Sequence, residues 1–469
     1  MKRYIAIYFI LFFTAISCES YLDINENPNG AIEPPLEGLL SNTTYNTAIN
    51  IYNMGHTTSY YTQYTASSSQ GSLTDTQRRI STGNIWTGIY DISSDVSDLI
   101  AFGMEQDAIH YVGVGKILMA INMGMAVDVY GDLPYEEAFN FETITPSYDD
   151  DEAVYTAILS LIDQAITDLQ AENVGIPLSE DSDFIYQGDT GAWIKAAYAL
   201  KARYLNHLSK TSQYDPVAVL DAVSKAYTSN DDDAELTDFR DENPWYRVAR
   251  NNENNLLDGW LSEYFVDALN GTTFGVFDPR LPLITSPLAD GSYRGTRNGK
   301  GRIGDGTTKE EVYLTTDGFY SQMNAPLLVL TFSELKFIEA EAQLRNGNPT
   351  GAYAAYLDGI RANMEKIGVD SGDIDDYLNE STVAVGANNL TLKTIFKEKY
   401  VAMFLQPESW VDARRNDYNY KDMEIPVNHN PDLGGEFIRR IDYPDSERQR
   451  NDGNIPNVDL LTRIWWDAD

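Results

Sequence analysis

The sequence of 469 residues predicts a mostly α-helical protein, and two observations carry this prediction. Within 151–170, apolar residues recur at three- and four-residue spacing and would line one face of a helix: Val154, Ile158, Ile162, Ala165 and Leu169. In three further places a helical stretch rich in small residues breaks at a short polar turn containing proline and then resumes. We therefore expect paired helices as the main building block, with irregular loops between them.

The first seventeen residues have the pattern of an export signal. Lys2 and Arg3 precede the apolar stretch "YIAIYFILFFTAIS", which is too short for a comfortable membrane span. Cys18 is the only cysteine and follows directly, as in bacterial lipoproteins, although Ala15 stands where such signals usually carry leucine. We expect residues 1–17 to be a lipoprotein signal peptide and 18–45 a lipidated tether and lead-in. The alternative is a secreted protein with a stray cysteine at its cleavage site.

Three helical hairpins are predicted within a single domain spanning 46–469, at about 116–170, 190–228 and 331–367. Their breaks fall at 131–134, 214–216 and 347–349, where Asp or Asn comes shortly before proline. Proline suits the first turn of a helix, because its missing N–H would have no helical partner there. The units are unevenly spaced, so we expect scattered hairpins in the style of tetratricopeptide repeats rather than a regular solenoid.

The first break, "DVYGDLPYEEAF" at 128–139, also concentrates carboxylates. Asp128, Asp132, Glu136 and Glu137 around a turn would suit a general acid and base. However, the combination of Asp132 and Pro134 recurs in type at the other two breaks, where catalysis has no reason to repeat. We therefore predict a polar joint between two packed helices, with the second helix starting after Pro134.

Long loops separate the hairpins, chiefly at 66–84, 171–190 and in a loop-rich region around 227–326. The segment "FDPRLPLITSPLADGSYRGTRNGKGRIGDG" contains too much glycine and proline for long helices. Loops of this length in a compact protein usually bind a ligand or form an interface.

The net charge and the absence of known catalytic motifs exclude several classes of function. Asp and Glu number 71 against 34 Lys and Arg, and the net charge of −37 argues against binding nucleic acid. The histidines are scattered, and neither His-Glu-x-x-His nor Gly-x-Ser-x-Gly is present. A glycoside hydrolase with a carboxylate pair stays open, because so many acids permit many pairs.

A calcium loop is weakly suggested by "DDDAELTDFRDE". Asp231, Asp233, Glu235 and Glu242 fall at positions 1, 3, 5 and 12 of a calcium-loop register. Leu236 stands where that loop needs glycine, so we prefer a solvated acidic loop. We expect no cofactor.

Candidate ligand contacts are aromatic and planar polar side chains near the loops, since sugar rings stack on aromatic rings and their hydroxyls need fixed donors and acceptors. Tyr52, His56, Tyr60 and Tyr64 recur every four residues, and we expect Tyr52 and His56 in the core. Trp86 is either a ligand platform or a core residue. The full set of predicted ligand contacts is Tyr60, Tyr61, Gln63, Tyr64, Trp86, Tyr293, Arg294, Gln322 and Asn324.

Five segments, in this order, resemble the SusD/RagB nutrient-binding outer-membrane lipoproteins of Bacteroidetes. They are "DVYGDLPYEEAF", "FDPRLPL", "LTFSELKFIEAEA", "FLQPESWVDARR" and the terminal "LLTRIWWD". The sequence is most similar to the branch whose chains close on Trp-Trp-Asp, here Trp465, Trp466 and Asp467.

The resemblance implies a mostly α SusD-like fold with tetratricopeptide-like hairpins and an irregular loop-rich ligand-binding half. It implies a lipid-anchored protein on the cell-surface side of the outer membrane that forms a lid on a TonB-dependent transporter of the SusC class. Such proteins capture oligosaccharides, or sometimes peptides, and pass them on chemically unchanged. A surface glycoside hydrolase and a peptide-binding lid are the alternatives.

One basic cluster stands out in this acidic chain. Arg294, Arg297, Lys300 and Arg302 lie within nine residues of one another. We expect them to contact either an anionic glycan or the transporter, because arginine's planar fork suits carboxylates. The alternative is a loop that neutralises nearby acids.

Overall fold

The structure is a computed structural model that describes residues 34–140, 142–254, 259–305 and 308–467. The predicted signal peptide, Cys18 and most of the predicted tether lie outside these residues. Helix α1 begins at Leu36, and Leu36, Leu39 and Leu40 are buried. The compact unit accordingly begins at Leu36, earlier than the predicted residue 46.

The described residues contain fifteen α-helices. Those of the first part are α1 (Leu36–Tyr61), α2 (Gly83–Glu105), α3 (Ile109–Tyr130), α4 (Asp151–Gln170), α5 (Thr190–His207), α6 (Pro216–Val223) and α7 (Pro244–Glu253). Those of the second part are α8 (Glu263–Leu269), α9 (Leu281–Ile284), α10 (Phe332–Arg345), α11 (Pro349–Ile367), α12 (Ser371–Asn379), α13 (Leu392–Ala402), α14 (Glu408–Arg415) and α15 (Asp445–Arg450).

Two of the predicted hairpins form as expected. Helices α5 and α6 pair across a turn in which Asp215 accepts a hydrogen bond from the N–H of Val217 at 2.9 Å. Helices α10 and α11 pair across a turn in which Asn348 accepts from the N–H of Gly351 at 3.1 Å. In both, the side chain before the proline caps the second helix, which explains the recurring sequence pattern.

The break at 128–139 is built differently. Helix α3 ends at Tyr130, but no helix starts after Pro134, and the chain runs irregularly to Asp151, where α4 begins. Our prediction of a helix after Pro134 is therefore wrong. Asp132 still serves the start of the next helix, because it accepts a hydrogen bond from the N–H of Asp151 at 3.1 Å. Asp150, the residue directly before the helix, caps it as well by accepting from the N–H of Glu152 at 3.1 Å.

Helix α3 forms the centre of the core. It is the one helix among the described residues that is long and apolar enough to cross a membrane, and its apolar 18-residue window is entirely buried inside the protein. Helices α2 and α4 pack on either side of it. Its apolar character is therefore explained by packing within this chain.

Two small antiparallel sheets connect the loop-rich region with the helices. Strand β1 (Thr65–Ala66) follows α1 and pairs with β3 (Trp260–Leu261), and β2 (Ala234–Leu236) pairs with β4 (Leu327–Leu330), which leads into α10. The architecture confirms the predicted fold class, a mostly α protein with helical hairpins and a loop-rich half.

Candidate functional site

Three of the predicted ligand contacts lie in the core. Tyr61 and Tyr64 are fully buried, and Trp86 is 6% exposed. Helix α1 ends at Tyr61, so Tyr64 does not continue the helical stripe, and its hydroxyl donates to the carbonyl of Tyr400. The Trp86 ring packs edge-on against Tyr130 at 5.0 Å. Because none of the three offers an open ring face, we correct our expectation and leave them out of the proposed ligand surface.

Tyr60 belongs to an aromatic cluster built from α1 and α7. The ring centroids of Tyr52 and Trp245 are 4.9 Å apart, and those of His56 and Tyr60 are 6.3 Å apart. Tyr52, His56 and Tyr60 are half-buried, so the cluster reaches the surface, although we expected Tyr52 and His56 in the core. The sequence analysis missed Trp245, which no local aromatic pattern singles out.

Two predicted amides lie near this cluster. Gln322 and Asn324 are exposed on the segment that follows the short 3-10 helix Phe319–Ser321. The N–H of Asn243 donates to the carbonyl of Met323 at 2.9 Å, and the Asn243 side chain caps the turn that carries Trp245. The structure therefore brings Gln322 and Asn324 beside the turn that positions Trp245.

Tyr293 and Arg294 lie in a different loop. Tyr293 is half-buried, with its ring centroid 6.1 Å from that of Phe277, and Arg294 is exposed. Arg294 donates to the carbonyl of Glu310 at 3.0 Å and lies 3.9 Å from Asp290. This arginine is thus held by its own loop.

Gln63 lines a concave site, which we call the polar cavity. Its volume is about 180 Å³. Polar side chains from four separate segments line most of it, joined by two apolar residues: Gln63, Glu263, Tyr264, Asp267, Thr272, Thr273, Arg297, Asn298, Asp422, Glu424, Ile425 and Pro426. A concave site with converging polar groups is the usual form of a small-molecule site.

The walls of the polar cavity are fixed by hydrogen bonds between those segments. Gln63 has a positive φ of 56° just beyond α1, and its amide donates to the carbonyl of Glu424. Ser262 caps α8 through the N–H of Tyr264 at 3.2 Å, and its hydroxyl donates to Asn298 at 2.6 Å. Residues far apart in sequence are therefore held in a fixed arrangement.

A buried carboxylate supports the floor of this site. Asp75 accepts hydrogen bonds from the Asn298 amide and from the N–H of Gly299, both at 2.6 Å. Burial raises the pKa of Asp75 to about 6. Gly299 has a φ of 74°, and a Cβ there would lie 1.7 Å from the carbonyl oxygen of Val427, so only glycine fits. The backbone at 298–299 is thus locked against two other segments.

The polar cavity offers both donors and acceptors. Glu263, Asp267, Asp422 and Glu424 supply carboxylate oxygens. The Tyr264 hydroxyl is buried without a hydrogen-bond partner in the described part of the chain, and burial raises the pKa of Tyr264 well above its usual range. A buried hydroxyl without a partner is costly, and a bound ligand would satisfy it.

The basic cluster is largely engaged by its surroundings. Arg297 lies 2.9 Å from Glu424 at the rim of the polar cavity, and Arg302 donates to the carbonyl of Thr308 at 2.8 Å. The interpretation that this loop neutralises nearby acids fits Arg297. The predicted contact with an anionic glycan or the transporter stays a prediction.

The calcium-loop register is not realised. Asp233 and Glu235 both pair with Lys366, at 3.0 and 2.7 Å, and Glu242 pairs with Arg250 at 2.7 Å. These carboxylates neutralise cations on different elements instead of converging on one point. The solvated-loop interpretation is also incomplete, because Asp233 is buried and accepts from the N–H of Phe332 at 2.6 Å.

A buried charge network connects three of the five sequence segments that resemble the family. We define this network as Asp128, Tyr155, His207, Glu408 and Trp466. His207 lies 2.7 Å from Glu408 and 2.8 Å from the Tyr155 hydroxyl, which in turn donates to Asp128. The Trp466 N–H donates to Asp128 at 2.9 Å. The first and last family-like segments therefore meet in the core.

The charges of this network stabilise one another. Although burial opposes its charge, the carboxylates of Glu408 and Asp128 raise the pKa of His207 to about 9. Burial likewise opposes the charge of Glu408, yet His207 and Arg203 lower its pKa to about 2. Asp128, His207 and Glu408 approach closely enough to hold a metal ion, but both ring nitrogens of His207 already have hydrogen-bond partners. We interpret the group as a structural ion cluster.

The helical hairpins of this chain thus occur together with a loop-built cavity lined by converging polar side chains. A family model described as "Starch-binding associating with outer membrane" matches residues 28–444. The chain belongs to this SusD-like family, as the five sequence segments predicted. A comparison with curated protein sequences gave no significant match.

Solved structures support the same fold. A chitin-binding SusD homologue from Flavobacterium johnsoniae is 19% identical, with a TM-score of 0.77 over 92% of this chain and 99% of that one. A SusD/RagB family protein from Bacteroides thetaiotaomicron is 24% identical, with a TM-score of 0.73 over 92% and 99%. A SusD homologue from Bacteroides uniformis is 20% identical, with a TM-score of 0.74 over the same shares.

Proposed function

We propose that this protein captures an oligosaccharide in the loop-rich half and delivers it, chemically unchanged, to a SusC-like TonB-dependent transporter. Membership of a family described as starch-binding supports the ligand class. A chitin-binding structural relative supports it further, since chitin is also a polysaccharide. The geometry of the loops determines which glycan is bound.

The polar cavity is the observation that carries the proposal. Its volume of about 180 Å³ suits one sugar ring, and its lining offers both acceptors and donors, as a ring bearing several hydroxyls requires. The unpartnered hydroxyl of Tyr264 would gain a hydrogen bond there. We assign the principal contacts to Gln63, Tyr264, Asp267 and Asp422.

The aromatic cluster is a second contact surface within the same function. Tyr60 and Tyr52 present half-buried rings, and Gln322 and Asn324 add exposed amides beside them. Aromatic rings with neighbouring amides suit the C–H faces and hydroxyls of further sugar units. Tyr293 and Arg294 stay in the proposal as contacts from the neighbouring loop.

Membership of the family also supports a proposal for the location and the partner. We propose that Cys18 carries a lipid that anchors the protein at the outer membrane, with the mature domain exposed at the cell surface. The family description places its members in association with that membrane. The tetratricopeptide-like hairpins α5–α6 and α10–α11 would face the transporter.

A glycoside hydrolase is the second candidate, because four carboxylates line the polar cavity and burial raises the pKa of Asp267. A raised carboxyl pKa is what a catalytic acid needs. Incubation with starch- and chitin-derived oligosaccharides separates the candidates. Binding without new reducing ends supports capture, and release of reducing ends supports hydrolysis.

The test of the binding site is calorimetric titration of those oligosaccharides into the native protein and a Tyr264→Phe, Asp267→Asn double variant. We expect about tenfold or greater loss of affinity, since the tyrosine hydroxyl is removed and a charged carboxylate acceptor is replaced by a weaker amide acceptor. Tyr353→Phe, at a half-buried tyrosine of helix α11 that does not line the polar cavity, is the matched control and should bind nearly normally. Equal affinity of the native protein and the double variant would contradict the assignment. A peptide-binding lid would bind peptides and none of the saccharides.

A further inference from the structure

A second cavity, of about 510 Å³, differs from the polar cavity in the sign of its charge. We call it the lysine cavity and define it by Lys393, Lys397, Lys421, Phe274, Tyr420 and Asn419. Among the described residues that line it there is no carboxylate, in a chain whose net charge is −37. Such a local concentration of positive charge would attract an anion.

The lysine cavity adjoins the polar cavity. Thr273 lines the polar cavity and the next residue, Phe274, lines the lysine cavity. The same holds for Asp422 and Lys421. The Lys421 ammonium also donates to the carbonyl of Thr273. This hydrogen bond holds together the two loop segments that lie between the cavities. A ligand longer than one sugar unit could therefore contact both cavities across a shared wall.

Lys397 is a buried cation with unused hydrogen-bonding capacity. It is 9% exposed, and its ammonium lies 4.7 Å from the Phe274 ring centroid and 2.8 Å from Glu398. Glu398 is its ion-pair partner, and the described chain supplies no further partner for the remaining N–H donors of the ammonium. The remaining donors of this buried ammonium would gain free energy from a bound acceptor.

The other two lysines of the cavity, Lys393 and Lys421, give the site a net positive charge. Glu398 is shared between Lys397 and Arg280, and Asp278 pairs with Arg280, so these four charges cancel. Lys393 and Lys421 form no ion pair with any described residue. This differs from the basic loop, where Arg297 is paired with Glu424.

We propose that the lysine cavity binds the carboxylate or sulfate group of an acidic oligosaccharide whose neighbouring sugar occupies the polar cavity. The half-buried Phe274 ring offers a stacking face, and the Asn419 amide and the threonine hydroxyls of the lining offer partners for sugar hydroxyls. This inference rests on the proposed saccharide binding and specifies the chemical class of the ligand.

The test uses calorimetric titration of the full mature chain with two acidic probes, trigalacturonate and a sulfated galactan tetrasaccharide, and with neutral galactotriose. Lys393→Gln with Lys421→Gln removes the two unpaired charges from the surface. Lys201→Gln with Lys225→Gln removes the same charge from the helical half and serves as the control. We expect the cavity double variant to lose about tenfold or more in affinity for at least one acidic probe, with the control unchanged.

The outcomes separate the two proposals. If neutral saccharides bind but neither acidic probe distinguishes the native protein from the lysine-cavity variant, the acidic-ligand inference is overturned and saccharide capture stands. If no saccharide binds at all, saccharide capture itself fails. Inorganic sulfate that binds as tightly as the sulfated tetrasaccharide would show an ion site only and would also overturn the inference.

Discussion

The buried charge network of the helical half and the charged groups of the two cavities use the same residue types in opposite situations. In the network, His207 lies between Glu408 and Asp128, and each charge has a buried partner. At the cavities, the buried Tyr264 hydroxyl has no hydrogen-bond partner in the described chain, and the buried Lys397 ammonium has only its ion pair with Glu398. Satisfied groups hold helices together, whereas unsatisfied groups leave free energy to be gained from a ligand.

The largest effect is expected from a substitution that breaks the buried charge network. His207→Ala leaves two buried carboxylates facing an empty space, and we expect the free energy of unfolding to fall by about 3–5 kcal/mol. Chemical denaturation followed by circular dichroism measures this change. His110→Ala, at a histidine with one exposed contact to the Ala171 carbonyl, is the control and should cost under about 1 kcal/mol. A small effect at His207 would mean that the network does not hold the helices.

The second effect is a pH dependence that originates in the same residue. The pKa of His207 is raised from its ordinary 6.5 to about 9 in the folded protein, so the folded state binds more protons between these values. The stabilisation is complete below pH 6.5 and is lost as the pH rises through 9, on the order of 3 kcal/mol in total. Unfolding free energies from pH 7 to 9.5 test this prediction. The slope should vanish in His207→Gln, and a native curve without the slope would contradict it.

The third effect tests whether the hairpins are independent of the ligand site. Asn348→Ala removes the cap of α11 and should lower the unfolding free energy by about 1 kcal/mol without changing oligosaccharide affinity. Thermal unfolding and titration of the same sample measure both quantities. Thr350→Ala, the neighbouring residue in the first turn, is the control and should leave stability nearly unchanged. If Asn348→Ala binds the oligosaccharide more weakly at a temperature where it is fully folded, the helical hairpins influence the ligand site and the account is contradicted.

The smallest expected effect is at the cavity. Tyr264→Phe removes only a hydroxyl that has no partner in the described chain, so stability should stay the same or rise slightly. The oligosaccharide affinity should fall by about three- to tenfold, because the ligand loses one hydrogen bond of about 1 kcal/mol. A stability loss with unchanged affinity would place Tyr264 among the structural groups instead.

The sequence predicted those parts of the fold that are encoded locally. The breaks at 214–216 and 347–349 were predicted from the pattern alone, and the Asp215 and Asn348 caps lie within these short patterns. The turn at 128–139 misled us because Asp132 caps a helix nineteen residues further on. Local spacing does not reveal such a contact.

The candidate site was harder to predict for the same reason. Gln63, Tyr264 and Asp422 come from segments about 150–200 residues apart, and only the tertiary structure brings them together. Tyr61 and Tyr64 show a second limit, because a tyrosine at helical spacing can face the core or the solvent. The burial of the Tyr64 hydroxyl against Tyr400 depends on α1 ending at Tyr61, which the periodicity did not indicate.

One measurement tests the central claim most directly, that the loop-rich cavity binds saccharide while the helical half only supports it. An oligosaccharide that binds the native protein is titrated into three samples: the native protein, the Tyr264→Phe, Asp267→Asn double variant and Asn348→Ala. We predict about tenfold or greater loss of affinity in the double variant and native affinity in Asn348→Ala. Native affinity in the double variant, or loss confined to Asn348→Ala, would contradict the claim.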